Sequence, residues 1–205
     1  MLTTRYKPIF NALLEPIAKA VARLGVSPSA ITLAIPLLVA LACLWVLRTL
    51  AIVPFCMAVT VIGCLDGLDG AVARASGRVT KFGAYLDAVC DRAVEAMVAI
   101  TAAVLTGYWV PAMSVLAGGF LISYAKARAA MEIPISNKEW PDLMERAERD
   151  VLFVAGLAVG ELVPWRPLGR DLFWWTLAAL NVLVYATVAQ RVLRARRLIA
   201  ERARR

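Results

Sequence analysis

Four aspartates within one short stretch are the residues best suited to chemistry in this chain. Asp66 and Asp69 are three residues apart. Asp87 and Asp91 are four residues apart, so each pair lies on one face of a helix. Carboxylates brought together repel one another unless cations offset their charge, and oxygen-only ligands favour hard ions such as Mg²⁺ or Mn²⁺. Because a pair of such ions is a common device for displacement at phosphorus, the spacing predicts a metal site for phosphoryl chemistry.

Glycines and one arginine accompany the aspartates. Gly67 and Gly70 alternate with the first pair, and Gly83 lies four residues before Asp87. A glycine inside a helix costs about 1 kcal/mol relative to alanine, which indicates that a ligand or a neighbouring helix approaches the backbone closely. Arg74 adds a guanidinium that suits a phosphate. Beside four acids, these residues favour a phosphate-bearing ligand.

The composition excludes most soluble folds and several catalytic classes. Of the 205 residues, 61% are hydrophobic and 19% are charged, against roughly 45–50% and about 25% in soluble domains. Histidine is absent, which excludes Ser-His-Asp hydrolysis, Cys-His proteolysis and zinc held by histidine. The four cysteines form no CxxC pair and are interpreted as small apolar residues packed in helices.

Long apolar runs predict an all-α integral membrane protein. A spanning helix needs roughly 20 mostly apolar residues. An amphipathic N-terminal helix within residues 1–27, with a bend at Pro16, is expected to lie in the membrane interface, or alternatively to bind a partner. We expect one domain over residues 1–205, with a basic tail at 196–205. The six predicted spans lie near residues 29–50, 52–76, 82–107, 110–131, 142–164 and 171–195.

The positive charge is distributed asymmetrically about these spans. The net charge is +8, and every lysine and arginine except Arg48, Arg166 and Arg170 falls on one predicted side. Cytoplasmic loops carry such an excess, so both termini and the aspartates are expected at the cytoplasmic face of the plasma membrane. Anionic lipids therefore explain the charge, and no nucleic-acid partner is expected.

The aspartates and glycines form a longer motif. The run Asp66 to Arg74, followed by Gly83, Asp87 and Asp91, fits the pattern D-x2-D-G-x2-A-R-x8-G-x3-D-x3-D with all eight fixed positions present, Ala73 included. This pattern resembles the signature of the CDP-alcohol phosphatidyltransferase family, whose members transfer a phosphatidyl group from a CDP-linked lipid to an alcohol and release CMP. The resemblance implies a homodimer and two Mg²⁺ ions, with Mn²⁺ as the alternative. It implies Asp91 as general base and Asp66, Asp69, Asp87 and Asp91 as metal ligands.

The same resemblance implies binding sites for both substrates. The donor would be CDP-diacylglycerol or CDP-archaeol, and the acceptor would be inositol 1-phosphate, bound through its phosphate. Ala130 stands where the members that use this acceptor have a glutamate. The implied CDP-lipid-binding residues are Ser29, Ala30, Ile31, Thr32, Gly70, Arg74 and Thr80. The implied acceptor-binding residues are Ser123, Arg128, Arg146 and Arg149.

Three other functions compete with this interpretation. Glycerol 3-phosphate is the alternative acceptor, since it also presents a phosphate. An aromatic prenyltransferase also uses intramembrane aspartates and Mg²⁺, but on well-separated helices of a longer chain. A cation or proton transporter is the non-enzyme alternative, and its acids are expected near the middle of the membrane, among broken helices or inverted repeats. The aspartates of this chain lie near predicted cytoplasmic helix ends.

Overall fold

The computed structural model describes residues 14–134 and 143–203. These residues form helices and connecting turns, and no strand occurs among them. Residues up to Gly107 group into one compact unit, and those from Tyr108 onward group into a second. The expectation of a single domain over 1–205 stays a prediction.

The described part of the first unit contains five helices, and several of their ends follow from local sequence. The Ser27 side chain accepts a hydrogen bond from the Ala30 N–H at 3.3 Å, which caps a helix that opens with Pro28. Thr80 caps the last helix of the unit, and Gly107 ends it at φ 75°, a left-handed conformation that suits glycine. The helices are α1 (14–23), α2 (Pro28–Thr49), α3 (Ile52–Leu65), α4 (Leu68–Ala75) and α5 (Lys81–Thr106).

Helix α2 is the centre of this unit. It packs against α5, α3 and α4. Its buried side chains recur every three to four residues, from Thr32 through Val39 to Val46, and so form one continuous stripe. The Cys43 thiol donates to the Met97 carbonyl of α5 at 3.8 Å, and Cys43, Cys56 and Cys90 are buried free thiols, as expected of packed small residues. Cys64 is exposed instead.

The helix predicted over residues 52–76 is interrupted in the structure. Helix α3 ends at Leu65 and α4 begins at Leu68, with Asp66 and Gly67 in a turn between them. Both turn residues keep right-handed helical dihedral angles, so the chain continues in nearly helical form across the break. The first aspartate pair therefore lies at a helix junction rather than inside one regular helix.

Helix α1 packs against α4 through small apolar side chains. Ala18 is 1% exposed and forms a buried cluster with Ala71 and Val72. The helix ends at residue 23 rather than near 27, because Gly25 adopts a left-handed conformation with φ 75°. Pro16 lies within the helical residues. Residues 1–13 of the predicted amphipathic helix lie outside the described residues, and its interfacial position stays a prediction.

The second unit is built around one long helix. Helix α8 (Leu172–Ala203) packs against α6 (Trp109–Glu132) and α7 (Arg146–Leu162), and a short 3₁₀ turn at Pro167–Gly169 precedes it. Three glycines allow α6 and α7 to approach α8 closely, since a Cβ on any of them would meet a side chain of α8. These contacts are Gly118 with Val184, Gly156 with Thr176, and Gly160 with Phe173.

A hydrogen-bonded cluster fixes the start of α8. Asp171 accepts from the Trp174 N–H at 2.8 Å and so caps the helix. Its other carboxylate oxygen accepts from the Tyr108 hydroxyl at 2.8 Å. Burial and the bond to Asp171 raise the pKa of Tyr108, so the hydroxyl keeps the proton that it donates. At the other end, α8 continues past residue 195 to Ala203, so most of the predicted basic tail is helical.

Helices lie at all six predicted segments, but they differ in their suitability as spans. Within residues 14–134 and 143–203, four segments are long and apolar enough to cross a membrane. Helix α5 contains several charged residues, and α7 has only 17 residues with a charged first turn. The six-span arrangement therefore stays a prediction. The four apolar segments are Pro28–Thr49, Ile52–Ala75, Trp109–Glu132 and Leu172–Arg202.

Candidate active site

Three of the four motif aspartates converge in the first unit. Asp66 lies in the turn between α3 and α4, while Asp87 and Asp91 lie one turn apart on α5. One carboxylate oxygen from each lies within 4.8 Å of those from the other two, and all three residues are half-buried. The convergence results from the turn at Asp66 and from the four-residue spacing on α5.

This arrangement suits a hard cation. Ionised carboxylates at such a separation repel by about 3 kcal/mol per pair at an effective dielectric constant near 20. A divalent ion among them would convert that repulsion into attraction, and three carboxylate oxygens are the ligands that Mg²⁺ and Mn²⁺ prefer. The donor set of Asp66, Asp87 and Asp91 therefore fits such an ion.

Asp69 lies outside the group of three and has a partner of its own. Its Oδ2 accepts from the Thr32 hydroxyl of α2 at 2.5 Å, and its Oδ1 accepts from the Gly70 N–H at 2.5 Å. Thr32 is 5% exposed, so the bond is sheltered from water. Asp69 is nevertheless only three residues from Asp66, and it is half-buried like the other three motif aspartates. Asp69 thus belongs to the same region of negative charge, held there by α2.

The residues predicted to bind the CDP-lipid lie on the helices that carry these aspartates. Ser29, Ala30, Ile31 and Thr32 form the first turns of α2, which packs against α4. Gly70 and Arg74 are on α4, and the Arg74 Nη1 lies 3.4 Å from where a Cβ on Gly70 would be. The exposed Arg74 guanidinium therefore folds back over the glycine.

Thr80 and Gly83 have a structural role that the motif did not indicate. The Thr80 hydroxyl oxygen accepts from the Gly83 N–H at 3.0 Å and caps α5. A Cβ on Gly83 would lie 3.1 Å from that oxygen, so glycine keeps the cap uncrowded. The signal was available in the sequence as a threonine before the first helical residue.

The predicted acceptor-binding residues all lie in the second unit. Ser123 and Arg128 are on α6, and Arg146 and Arg149 are on the first turns of α7. Ser123 donates to the Gly119 carbonyl at 3.2 Å, and Arg149 is only 3% exposed.

Two of these arginines pair with acids of their own helix. Arg128 contacts Glu132 at 2.5 Å, and Arg146 contacts Asp150 at 3.3 Å. The motif indicated neither ion pair, although the i, i+4 spacing of opposite charges could have predicted both. Ala130 occupies the position where the family resemblance implied a glutamate. Glu132, two residues later, forms the ion pair with Arg128.

The fold and the site together describe a helical membrane protein with a carboxylate cluster suited to phosphoryl transfer. The family model for CDP-alcohol phosphatidyltransferase matches residues 25–185. The chain belongs to the CDP-alcohol phosphatidyltransferase family, and it is an enzyme that transfers substituted phosphate groups.

Relatives with assigned names share this family. An archaetidylinositol phosphate synthase of Pyrococcus horikoshii is 34% identical over 160 residues, covering 76% of this chain and 82% of the relative. A phosphatidylinositol phosphate synthase of Corynebacterium glutamicum is 33% identical over 195 residues, covering 90% and 84%.

Solved structures of a Mycobacterium tuberculosis phosphatidylinositol phosphate synthase share the fold. The structure with CDP-DAG bound has a TM-score of 0.78 and 26% identity, covering 90% of this chain and 94% of that one. The structure in complex with manganese and citrate has a TM-score of 0.77 and 27% identity, covering 89% and 88%.

Proposed function

We propose that the chain transfers a phosphatidyl-type group from a CDP-linked lipid to inositol 1-phosphate and releases CMP. The observation that carries the proposal is the convergence of Asp66, Asp87 and Asp91, whose oxygens lie within 4.8 Å of one another. The complete family motif around them and the named inositol phosphate synthases among the relatives support the donor and the acceptor.

The four motif aspartates would hold two Mg²⁺ ions, or Mn²⁺ in their place. Manganese in the Mycobacterium tuberculosis structure supports a divalent metal. When bound, the ions would neutralise pyrophosphate charge and stabilise departing CMP. Asp66, Asp87 and Asp91 would supply the converging ligands, and Asp69 would join from the position where Thr32 holds it.

The protein's own residues would orient the donor and move one proton. Arg74, folded over Gly70, would meet a phosphate of the CDP group, and the first turn of α2 with Thr80 would complete the nucleotide site. The acceptor hydroxyl oxygen would form a bond to the lipid-side phosphorus while the bond from that phosphorus to CMP breaks. The hydroxyl proton would pass to the Asp91 carboxylate, and CMP would leave with the bonding electrons.

The acceptor phosphate would be bound by Ser123, Arg128, Arg146 and Arg149. Guanidinium groups match phosphate oxygens in bidentate geometry, and they remain charged at any physiological pH. Arg149 is buried, so its charge is more effective than that of a solvated arginine. Glycerol 3-phosphate presents the same phosphate, and it is the acceptor that must be tested beside inositol 1-phosphate.

The proposed setting is the plasma membrane, with six spans and an interfacial N-terminal helix. The asymmetric distribution of lysine and arginine supports cytoplasmic termini and a cytoplasmic active site. Helices at all six predicted segments support the span number. The family resemblance supports a homodimer. A transporter is the less favoured alternative, because the carboxylates lie at the α3–α4 junction and near the start of α5 rather than at mid-helix.

The test is a reconstituted reaction with product identification. Purified full-length protein is incubated with CDP-diacylglycerol or CDP-archaeol, with inositol 1-phosphate and glycerol 3-phosphate in separate reactions. CMP release and the mass of the lipid product are measured. We expect CMP and an inositol-phosphate lipid, loss of both in EDTA, and recovery on adding Mg²⁺ or Mn²⁺. A glycerophosphate lipid as the product would show that glycerol 3-phosphate is the acceptor. Absence of CMP with either acceptor would contradict the transferase reaction.

A further inference from the structure

An open cavity lies in the first unit, between α1 and the end of α4. Its volume is about 330 Å³. None of its lining residues is an aspartate of the motif or a residue assigned to either substrate. Two small alanines leave room in it, and the remaining side chains are polar or cationic. The lining residues are Lys19, Ala22, Arg23, Ala75, Ser76 and Arg78.

The cavity has an excess of positive charge. Lys19 contacts Glu15 at 2.7 Å, and this bond lowers the pKa of Glu15, so the ionised acid offsets one positive charge. Arg23 and Arg78 are exposed, and neither forms an ion pair with another residue of the described chain. Two guanidinium groups beside one cavity attract an anion, and a phosphate matches their geometry.

The position of α1 favours a lipid as the source of that phosphate. Leu14 and Ala18 are buried on the inner face of α1, whereas Ile17 is 48% exposed and Leu24, just after the helix, is 79% exposed. A segment with exposed apolar side chains next to cationic ones suits the boundary between acyl chains and headgroups. Phosphate groups of anionic lipids are concentrated at that boundary.

We propose that this cavity binds the phosphate of an anionic phospholipid headgroup through Arg23 and Arg78, and that the bound lipid fastens α1 to α4. Arg23 is the last residue of α1, and Arg78 lies three residues after the end of α4. A phosphate between them therefore adds a polar contact to the apolar one formed by Ala18 and Val72. The lipid would be a structural ligand, distinct from the transferred substrate, so the inference does not depend on the proposed reaction.

Lipid binding can be measured on the purified full-length protein in neutral detergent. Phosphatidylglycerol, phosphatidylcholine and inorganic phosphate are titrated separately, with bound lipid counted by native mass spectrometry and the melting temperature followed in parallel. The variant Arg23→Gln/Arg78→Gln removes both guanidinium groups. Arg48→Gln/Arg166→Gln is the matched control, because both of its arginines are exposed and predicted on the opposite side. Without added lipid, all three proteins should melt at the same temperature.

We expect phosphatidylglycerol to bind the parent and the control equally, and to bind the Arg23→Gln/Arg78→Gln variant about tenfold more weakly. Equal binding to all three proteins would overturn the site. Inorganic phosphate that binds as tightly as the lipid would overturn the lipid assignment. A matching rise in the KM for CDP-lipid would place the cavity in the donor site instead. Failure of the transferase assay itself would leave the lipid titration unaffected, so the two proposals fail separately.

Discussion

Asp91 combines two proposed tasks, because it faces Asp66 and Asp87 and is the proposed proton acceptor. We expect Asp91→Asn to lower kcat by at least about 10³-fold, since general-base catalysis alone contributes roughly 10²–10⁴-fold. The amide keeps the shape of the carboxylate but has neither its charge nor its basicity. CDP-lipid binding should be largely retained, because the other aspartates and Arg74 remain. CMP release and calorimetric titration with CDP-lipid measure the two effects.

Glu161→Gln is the control for that substitution. Glu161 is an exposed acid on α7, so its conversion to an amide changes the charge by the same amount without touching the cluster. Its kcat should equal that of the parent. Undiminished turnover in Asp91→Asn would show that Asp91 is not the proton acceptor of the reaction.

Thr32 orients Asp69, although the family resemblance assigned it to the nucleotide. Its hydroxyl donates to Asp69 at 2.5 Å, and the Pro28 carbonyl is 3.2 Å away. Thr32→Val keeps the volume and removes the donor, and losing such a bond costs about 1–3 kcal/mol. We expect the Mg²⁺ concentration for half-maximal activity to rise about tenfold, while kcat at saturating Mg²⁺ is largely unchanged.

Two further variants make the Thr32 result specific. Thr32→Ser keeps the hydroxyl and should behave like the parent. Thr60→Val removes a hydroxyl that contacts only its own helix, at Cys56, and should leave the Mg²⁺ dependence unchanged. A higher KM for CDP-lipid with an unchanged Mg²⁺ requirement would instead support the nucleotide role of Thr32.

The difference between prediction and structure at this scale has a clear cause. Helical spacing predicts that Asp87 and Asp91 lie close together. The motif that contains them also contains Asp66, and so predicts that Asp66 shares their metal site. The bond between Thr32 and Asp69 joins residues that are 37 positions apart. No local pattern encodes such a contact, because it depends on how α2 packs against α4.

Among the helices, the break between α3 and α4 is the feature that sequence patterns did not predict. The apolar run continues to Leu65, and hydrophobicity alone therefore extends one helix to residue 76. Gly67 and the polar Asp66 mark the junction, but both keep helical dihedral angles there. Glycine and aspartate also occur inside helices, so their presence indicates a weak point without showing that the helix ends. Helix ends with capping residues, such as Ser27 and Thr80, were closer to prediction.

The contact between α7 and α8 depends on Gly160. A Cβ at this position would lie 2.7 Å from the Phe173 Cβ and 2.9 Å from its backbone nitrogen. Phe173 is 1% exposed at the start of α8, so it has little room to move. We expect Gly160→Ala to destabilise the protein by about 1–3 kcal/mol and to lower its melting temperature in detergent by about 2–10 °C.

Gly63 provides the matched position for this comparison. It also lies inside a helix, α3, but a Cβ there would meet no atom within 4 Å. Gly63→Ala should therefore leave the melting temperature unchanged or raise it slightly, because alanine favours helix more than glycine does. Equal melting temperatures for Gly160→Ala and the parent would show that α7 and α8 are not closely packed at this point.

For the molecule as a whole, charge asymmetry predicts which loops face the cytoplasm. The turn between α4 and α5 contains Arg78 and precedes Lys81, on the side predicted to hold all cations except three. The turn between α7 and α8 contains Arg166 and Arg170, which are two of those three. The orientation rule counts such short loops together, so one orientation is assigned to every span. Exposed positions in these two turns, Val79 at 70% and Leu168 at 88%, can report the orientation.

A cysteine introduced at either of those two positions tests the orientation directly. With Cys64→Ala as background, since Cys64 is the exposed thiol of the described cysteines, we introduce Val79→Cys or Leu168→Cys. A membrane-impermeant thiol reagent should label Leu168→Cys in intact cells, and label Val79→Cys only after permeabilisation. Labelling of Val79→Cys in intact cells would show the opposite orientation, with the aspartate cluster on the side away from cytoplasmic CDP-lipid. Labelling of neither variant in intact cells would contradict the plasma membrane, because the Leu168 turn would then not reach the outside.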